Sequence, residues 1–329
     1  MRQNANINLI KIIACFLVLL NHTCFYLAEN NYFNYFYKAE YVLCRIAVPL
    51  FIMSTGFLIG RKKVDFKYSM KKIWRVFLPL ILITFFITFL RDKAIHISFF
   101  SSLLYDPIVE PYWYLYMLIG LYLFVPFLNK MAKNLKNLDI IILISLTLII
   151  PALMNSLRIN ISIYFYETFF SYIIGYYFLG ILLQRTQTQN YFLPSIFLFI
   201  LSYGIGMLFF NKNNLSLFYI DHLLVISMSI SFMIIMLNLK FSNHNKSDFI
   251  VNTTFGIYLL HPIVQNKIYL IMSYLNLNVN FKIFLYQIIL FIFCMIIVIC
   301  IRYIILILKK LFFYIKRKWL KIFIKENFL

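Results

Sequence analysis

The chain has 329 residues, of which 63% are hydrophobic, 20% are aromatic and only 13% are charged. Soluble domains are about 45–50% apolar and about 25% charged, so this composition excludes a soluble globular protein and indicates an all-α integral membrane protein. The formal net charge of +20 would suit a nucleic-acid-binding protein, but the basic residues are distributed as in a membrane protein and exclude that class.

Ten apolar segments are close to the length of about 17–25 residues that crosses a bilayer. The connections between them are short, and no repeat or flexible linker divides them. We therefore predict a bundle of ten transmembrane helices over residues 1–308, followed by a basic amphipathic tail over 309–329. The predicted segments are 7–27, 41–60, 74–90, 112–128, 139–154, 167–184, 191–210, 219–238, 249–270 and 283–307.

The charges between these segments predict the orientation of the chain. If both termini are cytoplasmic, most Lys and Arg residues fall on the inner side, and the outer connections are close to neutral because they hold most of the acids. We therefore predict a multi-pass protein of the plasma membrane with both termini inside. The tail mixes cations with large apolar residues, which favours binding to anionic lipid of the inner leaflet.

The first segment carries Lys11 near one end and His22 near the other. An α-helix turns by about 100° and rises by about 1.5 Å per residue, so the two side chains share one stripe and lie about 16 Å apart. Ionisable residues inside a spanning helix usually face a protein interior or a watery cavity. Two interpretations stay open here: a functional path between the side chains, or one side chain in each membrane interface.

The second segment holds Arg45 near its outer end, at about the depth of His22. An arginine there needs a carboxylate, a wall of carbonyl groups or a ligand. A pair with Glu40 or Glu29 is the structural alternative to a ligand. The third segment begins with Arg75 at the cytoplasmic surface, where its forked donor suits a phosphate-bearing ligand. Ordinary anchoring by positive charge is the alternative for Arg75.

Several acidic residues fall on the predicted outer side. The connection before the fourth segment contains Asp106 and Glu110, followed by Trp113 in an aromatic run. Aromatic residues are typical of the membrane interface, but carboxylates beside aromatic rings also suit a sugar. Glu167 and Asp221 fall on the same side, and the sequence leaves open whether these acids line an acceptor site or merely face water.

His261 lies near the middle of the ninth segment and directly before Pro262. A histidine at this depth is a candidate functional residue. The alternative is structural, because a proline kink frees a carbonyl group that needs a donor. No phosphate-binding loop, serine-hydrolase motif or CxxC pair occurs in the sequence, so neither a metal site nor a tightly bound cofactor is predicted.

In this order, the segments resemble the membrane acyltransferase-3 family, the bacterial O-acyltransferases of surface polysaccharides. The first segment is similar to the family pattern of a basic residue, ten further residues and a histidine. The second is similar to the family pattern of an arginine, a proline-leucine-phenylalanine run and a glycine. The matching residues are Lys11 and His22; Arg45, Pro49, Leu50, Phe51 and Gly56; Arg75 and Pro79; Trp113 and Tyr114; 175–180; and 258–262.

The sequence also departs from the family pattern. The family often has an acid where Asn8 stands, an arginine where Lys11 stands and a serine where Thr55 stands. Its paired arginines at the third segment are reduced to Arg75, with Ile73 two positions before it. No hydrolase-like domain follows the tenth segment, so the chain resembles the stand-alone members.

The resemblance implies transfer of an acyl group, commonly acetyl, from cytoplasmic acyl-CoA to a hydroxyl of a surface or exported polysaccharide. Acetyl-CoA would be a co-substrate and not a tightly bound cofactor. His22 and Arg45 would be catalytic, His22 as general base or transient acyl carrier and Arg45 beside the oxyanion. Lys11 and Arg75 would bind acyl-CoA; Trp113, Asp106, Glu110, Glu167 and Asp221 would bind the glycan acceptor; and His261 is a further candidate.

Two other classes of function stay open at the level of sequence. A polysaccharide exporter or flippase would also suit ten spans and a basic inner face, although the chain has no inverted repeats or paired broken helices. A membrane sensor or scaffold without turnover is the other alternative. Association with a second copy of the chain is also left open.

Overall fold

The computed structural model describes residues 2–29, 35–60, 62–92, 107–157, 172–211, 216–240, 244–275 and 279–327. In this part of the chain the regular secondary structure is helical, with no strand. The predicted all-α class is therefore confirmed.

The described chain forms twelve α-helices. They are α1 (Arg2–Glu29), α2 (Tyr35–Cys44), α3 (Ala47–Ile59), α4 (Phe66–Asp92), α5 (Trp113–Asn134), α6 (Asn137–Ile144), α7 (Ile150–Ser156), α8 (Tyr172–Arg185), α9 (Phe192–Leu208), α10 (Leu223–Asn238), α11 (His244–Ser273) and α12 (Val279–Asn327). A π-helical turn joins α6 to α7, and 3₁₀ turns precede α5, α9 and α10.

Each of the ten predicted segments overlaps one of these helices or a consecutive pair of them. In the described chain, seven stretches are long and apolar enough to cross a membrane, so this is a multi-pass membrane protein, whereas the count of ten spans stays a prediction. The seven stretches are Ala5–Thr23, Tyr35–Ile59, Phe66–Phe89, Glu110–Asn134, Asn137–Ser156, Thr188–Leu208 and Asn280–Phe312.

α1 is the central helix of the bundle. It packs against α2, α3, α10, α11 and α12. Its side chains Ile7, Ile10 and Leu19 are completely buried, as expected of a helix that is apolar on most of its surface. Lys11 and His22 both lie on this unbroken helix, so they are separated by about three turns.

The segment predicted as one span, 41–60, is divided between α2 and α3. Arg45 and Ile46 form the turn between the two helices. Pro49 accounts for this break, because proline has no N–H to bond the Arg45 carbonyl four residues earlier and its ring crowds that carbonyl. The break places Arg45 directly before the first turn of α3.

α3 and α8 cross at two glycines. A Cβ atom at Gly56 of α3 would overlap the carbonyl oxygen of Tyr177, and a Cβ atom at Gly180 of α8 would overlap the carbonyl oxygen of Met53. Both neighbours are backbone atoms, which cannot rotate aside as a side chain can. The two positions therefore need glycine for helix packing, as is common between membrane helices.

We expect Gly56→Ala to destabilise the protein by about 1–3 kcal/mol, because the added methyl group forces α3 away from α8. Gly204 of α9 is the matched control, since the space around its Cβ position is open. Gly204→Ala should be neutral or gain up to about 1 kcal/mol from helix propensity. Thermal unfolding in detergent compares the two variants, and equal Tm values would contradict this packing.

α12 runs without interruption through the predicted tail, 309–329, as far as Asn327. It has 49 residues, and at about 1.5 Å per residue it is more than twice as long as the hydrocarbon core of a bilayer is thick, about 30 Å. The tail is thus helical and continuous with the last predicted span. Its binding to anionic lipid stays a prediction.

Candidate active site

A cavity of about 540 Å³ lies at the His22 end of α1. It is bounded by α1, by the turn between α2 and α3, by the 3₁₀ turn before α5, by the residues before α10 and by α11. Sequence reasoning had selected four of its lining residues and missed others. His22, Arg45, Glu110 and Trp113 line the cavity as predicted candidates, together with Tyr258 and Gln265.

Arg45 reaches the cavity from the turn between α2 and α3. Its guanidinium carbon lies 3.9 Å from the centroid of the Tyr41 ring, a cation–π contact that orients the charge without neutralising it. The charge of Arg45 also acts on His22. Ala47 and Val48, in the first turn of α3, line the same cavity, so the positive end of that helix dipole faces it.

Glu40, one of the two carboxylates considered for Arg45, belongs to a buried polar network. It is 9% exposed, and it accepts a hydrogen bond of 2.8 Å from the Gln287 side chain of α12. The same amide nitrogen lies 3.1 Å from the hydroxyl oxygen of Thr23 on α1. The network therefore joins α1, α2 and α12 next to His22. The other carboxylate, Glu29, has its side chain outside the described residues.

His22 and His261 are neighbours across the contact between α1 and α11. Their ring centroids lie 5.1 Å apart and their planes are inclined by 34°. His261 is completely buried, and its Nδ1 lies 2.6 Å from the carbonyl oxygen of Tyr258. Pro262 has no N–H for that carbonyl. His261 therefore supplies the missing donor at the proline kink and also lies beside the candidate base.

Two tyrosines hold the 3₁₀ turn before α5 against α11. The Tyr112 hydroxyl donates a hydrogen bond of 2.6 Å to the Leu259 carbonyl, and the Tyr258 hydroxyl donates one to the Pro111 carbonyl. Since hydrogen bonds in opposite directions tie the two elements together, the turn has little freedom to shift. It fixes Glu110 and the first residue of α5 at the cavity.

Three of the predicted acceptor residues are not among the described residues that line the cavity. Asp106 and Glu167 are outside the described residues. Asp221 does not line the cavity, although Tyr219, two residues earlier, does. The Asp221 carboxylate accepts a hydrogen bond of 2.9 Å from Asn155 of α7. This contact ties α7 to the residues before α10.

Ser156 and His222 approach each other as in a serine-hydrolase pair, with 3.2 Å between Oγ and Nε2. His222 Nδ1 accepts the Leu224 N–H, so in the neutral ring the proton lies on Nε2 and points at the serine. Ser156 in turn donates to the Ala152 carbonyl. With this tautomer the histidine cannot activate the serine, and the contact is structural.

A cluster of cations lies at the opposite end of α1 from the cavity. Lys11 is close enough to Lys62 and Lys72 for their charges to interact, and Lys72 interacts in the same way with Arg75. We call these four residues the cation cluster. Sequence reasoning selected Lys11 and Arg75 but counted Lys72 among the ordinary basic residues. The available signal was its spacing of three residues from Arg75, which brings both onto one face of α4.

Asn8, where the family often has an acid, contacts an acid from another helix. Its side-chain amide donates a hydrogen bond to the Asp248 carboxylate of α11. The carboxylate that the first segment lacks is therefore supplied at the same level by α11. Sequence reasoning missed this because the two residues are far apart in the chain.

A row of tyrosines leads from the cation cluster towards the cavity. The Lys72 ammonium of the cluster lies 5.6 Å from the centroid of the Tyr68 ring, and the Tyr68 hydroxyl lies near those of Tyr122 and Tyr177. Tyr122 in turn lies near Tyr114, whose ring centroid is 5.8 Å from that of Tyr258 at the cavity. The buried Tyr177 hydroxyl has no hydrogen-bond partner within the described residues.

Within the described ranges, no group of three or more His, Cys, Asp or Glu residues could hold a metal ion. An imidazole can take up a proton or attack an acyl carbon, and a guanidinium beside it can stabilise a developing oxyanion. The cavity is thus equipped for acyl transfer.

Comparison with known proteins assigns the family. No curated protein and no solved structure matches the chain. The acyltransferase-3 family model, described as an acyltransferase domain, matches residues 4–305. This match includes the cavity, the cation cluster and nearly all of the helical bundle. The chain therefore belongs to the acyltransferase-3 family and is a membrane acyltransferase.

Proposed function

We propose that the protein is an O-acetyltransferase that moves an acetyl group from cytoplasmic acetyl-CoA to a sugar hydroxyl of a cell-surface or exported polysaccharide. Membership of the family supports acyl transfer in general. The observation that carries the finer proposal is the position of His22 and Arg45 at one cavity, about three helical turns along α1 from a cluster of cations.

In this proposal the chain crosses the plasma membrane ten times, with both termini in the cytoplasm. The support is the distribution of Lys and Arg, which follows the positive-inside rule in that orientation. The cation cluster then belongs to the cytoplasmic side, where acyl-CoA is made, and the cavity belongs to the outer side. Donor and acceptor thus approach from opposite faces.

The cation cluster would bind the phosphates of the donor. Arg75 offers a forked donor to phosphate oxygens, and Lys11 and Lys72 add point charges. The thioester arm of the donor would then run along the tyrosine row, a distance of about 15–20 Å that matches three helical turns. The arm carries amide groups, and the unpartnered Tyr177 hydroxyl is available to donate to one of them.

At the cavity, His22 would take the proton of the acceptor hydroxyl. The oxygen forms a bond to the thioester carbonyl carbon, the carbon–sulfur bond breaks, and the proton passes from His22 to the departing sulfur. In the two-step alternative, His22 itself accepts the acyl group first and releases it to the acceptor. Arg45 and the positive end of α3 would stabilise the oxyanion in both routes.

Trp113 and Glu110 would hold the sugar. Trp113 is 39% exposed at the cavity, and an indole presents a broad apolar face with one polar edge. Glu110, fixed beside it, can accept hydrogen bonds from sugar hydroxyls. The other sequence candidates, Asp106, Glu167 and Asp221, remain proposed acceptor residues; the first two lie outside the described residues, and Asp221 does not line the cavity.

We expect Lys72→Ala and Arg75→Ala each to raise KM for acetyl-CoA about tenfold or more, because each removes a charge-assisted contact to phosphate worth about 1.5–3 kcal/mol. Acetyl-pantetheine carries the same thioester arm without phosphates, so its KM should be unchanged in both variants. Lys67→Ala, an exposed cation of the same helix outside the cluster, is the matched control.

The comparison of the two donors is what makes this test specific. Equal rises in KM for acetyl-CoA and acetyl-pantetheine would contradict phosphate binding, because a general loss of structure affects both. If Lys67→Ala raised KM for acetyl-CoA as much as Arg75→Ala does, the whole basic surface would attract the donor non-specifically.

The acceptor is identified by chemical mapping of the cell-surface glycan with and without this gene. We expect one hydroxyl position to lose its acetyl group in the deletion strain and to regain it when the wild-type gene is restored. An unchanged acetylation pattern would contradict the proposed acceptor class.

A further inference from the structure

We propose that His261 is a positioning residue for His22, an inference that rests on the proposed function of His22. In this role the Nε2 lone pair of His261 accepts a hydrogen bond from the His22 ring while that ring holds the proton of the reaction. The added proton would stay on His22, and His261 would remain neutral and act only as the acceptor of the hydrogen bond.

The proline within α11 determines which nitrogen of His261 is protonated. Nδ1 lies 2.6 Å from the Tyr258 carbonyl oxygen, and a carbonyl group can only accept a hydrogen bond. The proton of the neutral ring therefore lies on Nδ1, and Nε2 presents its lone pair. Pro262 cannot supply an N–H to the same carbonyl, so the covalent sequence itself maintains this tautomer.

Among the described residues, no donor bonds the lone pair of His261. The residue is completely buried, and Nε2 has no hydrogen-bond partner in the part of the chain that the structure describes. A buried acceptor without a partner costs roughly 1–3 kcal/mol. A site that keeps such an acceptor in place is suited to a hydrogen bond formed only during the reaction.

Among the described residues, the His22 ring is a direct neighbour of the His261 ring. The ring centroids are 5.1 Å apart, and two imidazoles joined by an N–H···N hydrogen bond of ordinary length have centroids about 5 Å apart. The observed separation is therefore compatible with a hydrogen bond between the two rings once a nitrogen of His22 turns towards Nε2 of His261. His22 lies at the cavity and is partly buried, so its ring has room for that change.

The proposed hydrogen bond matters when His22 takes the acceptor proton. The ring then has two N–H groups: one holds the proton that goes to the departing sulfur, and the other donates to His261. Bonding of the second N–H fixes the ring plane, so the first stays aimed at the reacting atoms. His261 neither gains nor loses a proton, and the balance of the transfer is unchanged. A carboxylate plays this part for the histidine of serine proteases.

Two substitutions separate this role from the structural one. In His261→Asn the side-chain amide can still donate to the Tyr258 carbonyl, but no acceptor remains at the place of Nε2. In His261→Gln the longer side chain brings an amide oxygen close to that place. We expect His261→Asn to lower kcat about 10–100-fold with KM for both substrates nearly unchanged, and His261→Gln to recover much of the loss.

If the role of His261 is purely structural, the kcat values of the two variants are expected in the opposite order. His261→Asn would then keep the kcat of the wild-type protein, and His261→Gln, which cannot easily reach the Tyr258 carbonyl, would be the impaired variant. That order would overturn the proposal. A wild-type protein without acyl transfer would instead refute the proposed function, and the inference with it.

The tautomer is tested without any turnover. Nitrogen-15 NMR spectra of histidine-labelled wild-type protein, with His261 assigned by its absence in His261→Gln, should show Nδ1 protonated and Nε2 unprotonated. A neutral His261 with its proton on Nε2 would overturn the proposal, because the lone pair would then point away from His22.

Discussion

Replacement of His22 by alanine is expected to lower acyl transfer by about 10²–10⁴-fold, the usual contribution of a positioned acid–base group. The loss should appear in kcat, because His22 acts on the reacting atoms and the cation cluster that would bind the donor phosphates lies about three turns away. The rate of transfer of labelled acetyl groups by the purified protein measures the effect.

The amount and the Tm of the His22→Ala protein should stay normal. The neighbouring network of Glu40, Thr23 and Gln287 remains intact and still fixes the end of α1. His222→Ala is the matched control, since His222 does not line the cavity and bonds Ser156 and the Leu224 N–H. Retained transfer in His22→Ala, or an equal loss in His222→Ala, would contradict the assignment of His22.

Replacement of Arg45 by alanine is expected to lower kcat by about 10²–10³-fold, as the removal of one oxyanion donor does in other acyl-transfer enzymes. Arg45→Lys should recover only part of this loss, because the ammonium keeps the charge but not the planar fork that stacks on Tyr41. KM for acetyl-CoA should stay nearly constant in both variants. Steady-state kinetics with varied donor concentrations separate the two parameters.

Lys38 provides the control for charge alone. It lies on α2, the helix before the turn that contains Arg45, and its ammonium is 5.7 Å from the centroid of the Phe210 ring. Lys38→Ala should retain the wild-type kcat. If Arg45→Ala raised KM for acetyl-CoA and left kcat unchanged, Arg45 would be a donor-binding residue and its assigned role would be wrong.

Sequence reasoning predicted best the features that depend on the geometry of a single helix. Lys11 and His22 share an unbroken α1, as the apolar run and the spacing indicated. Periodicity reports the faces of a helix but not which helix lies opposite. Periodicity therefore could not predict the contact of His22 with His261, more than two hundred residues later. Each residue was a candidate only by itself.

Other features were present in the sequence but had a common alternative explanation. Pro49 is compatible with a break before α3, yet many membrane helices contain proline and remain undivided. The sequence therefore did not show that the helix ends before Arg45 and a new one begins after it. Lys72 stands where the positive-inside rule already expects cations. The tyrosine row was hidden because the chain has 25 tyrosines, and only packing shows which of their hydroxyl groups lie near one another.

Reconstitution into liposomes tests the central claim most directly. Purified protein is inserted into vesicles with labelled acetyl-CoA on the side of the cation cluster and candidate glycans on the side of the cavity, and the label on the glycan is measured. We predict labelled glycan with wild-type protein and none above background with His22→Ala. Movement of glycan across the membrane without transfer of label would contradict the account and indicate an exporter.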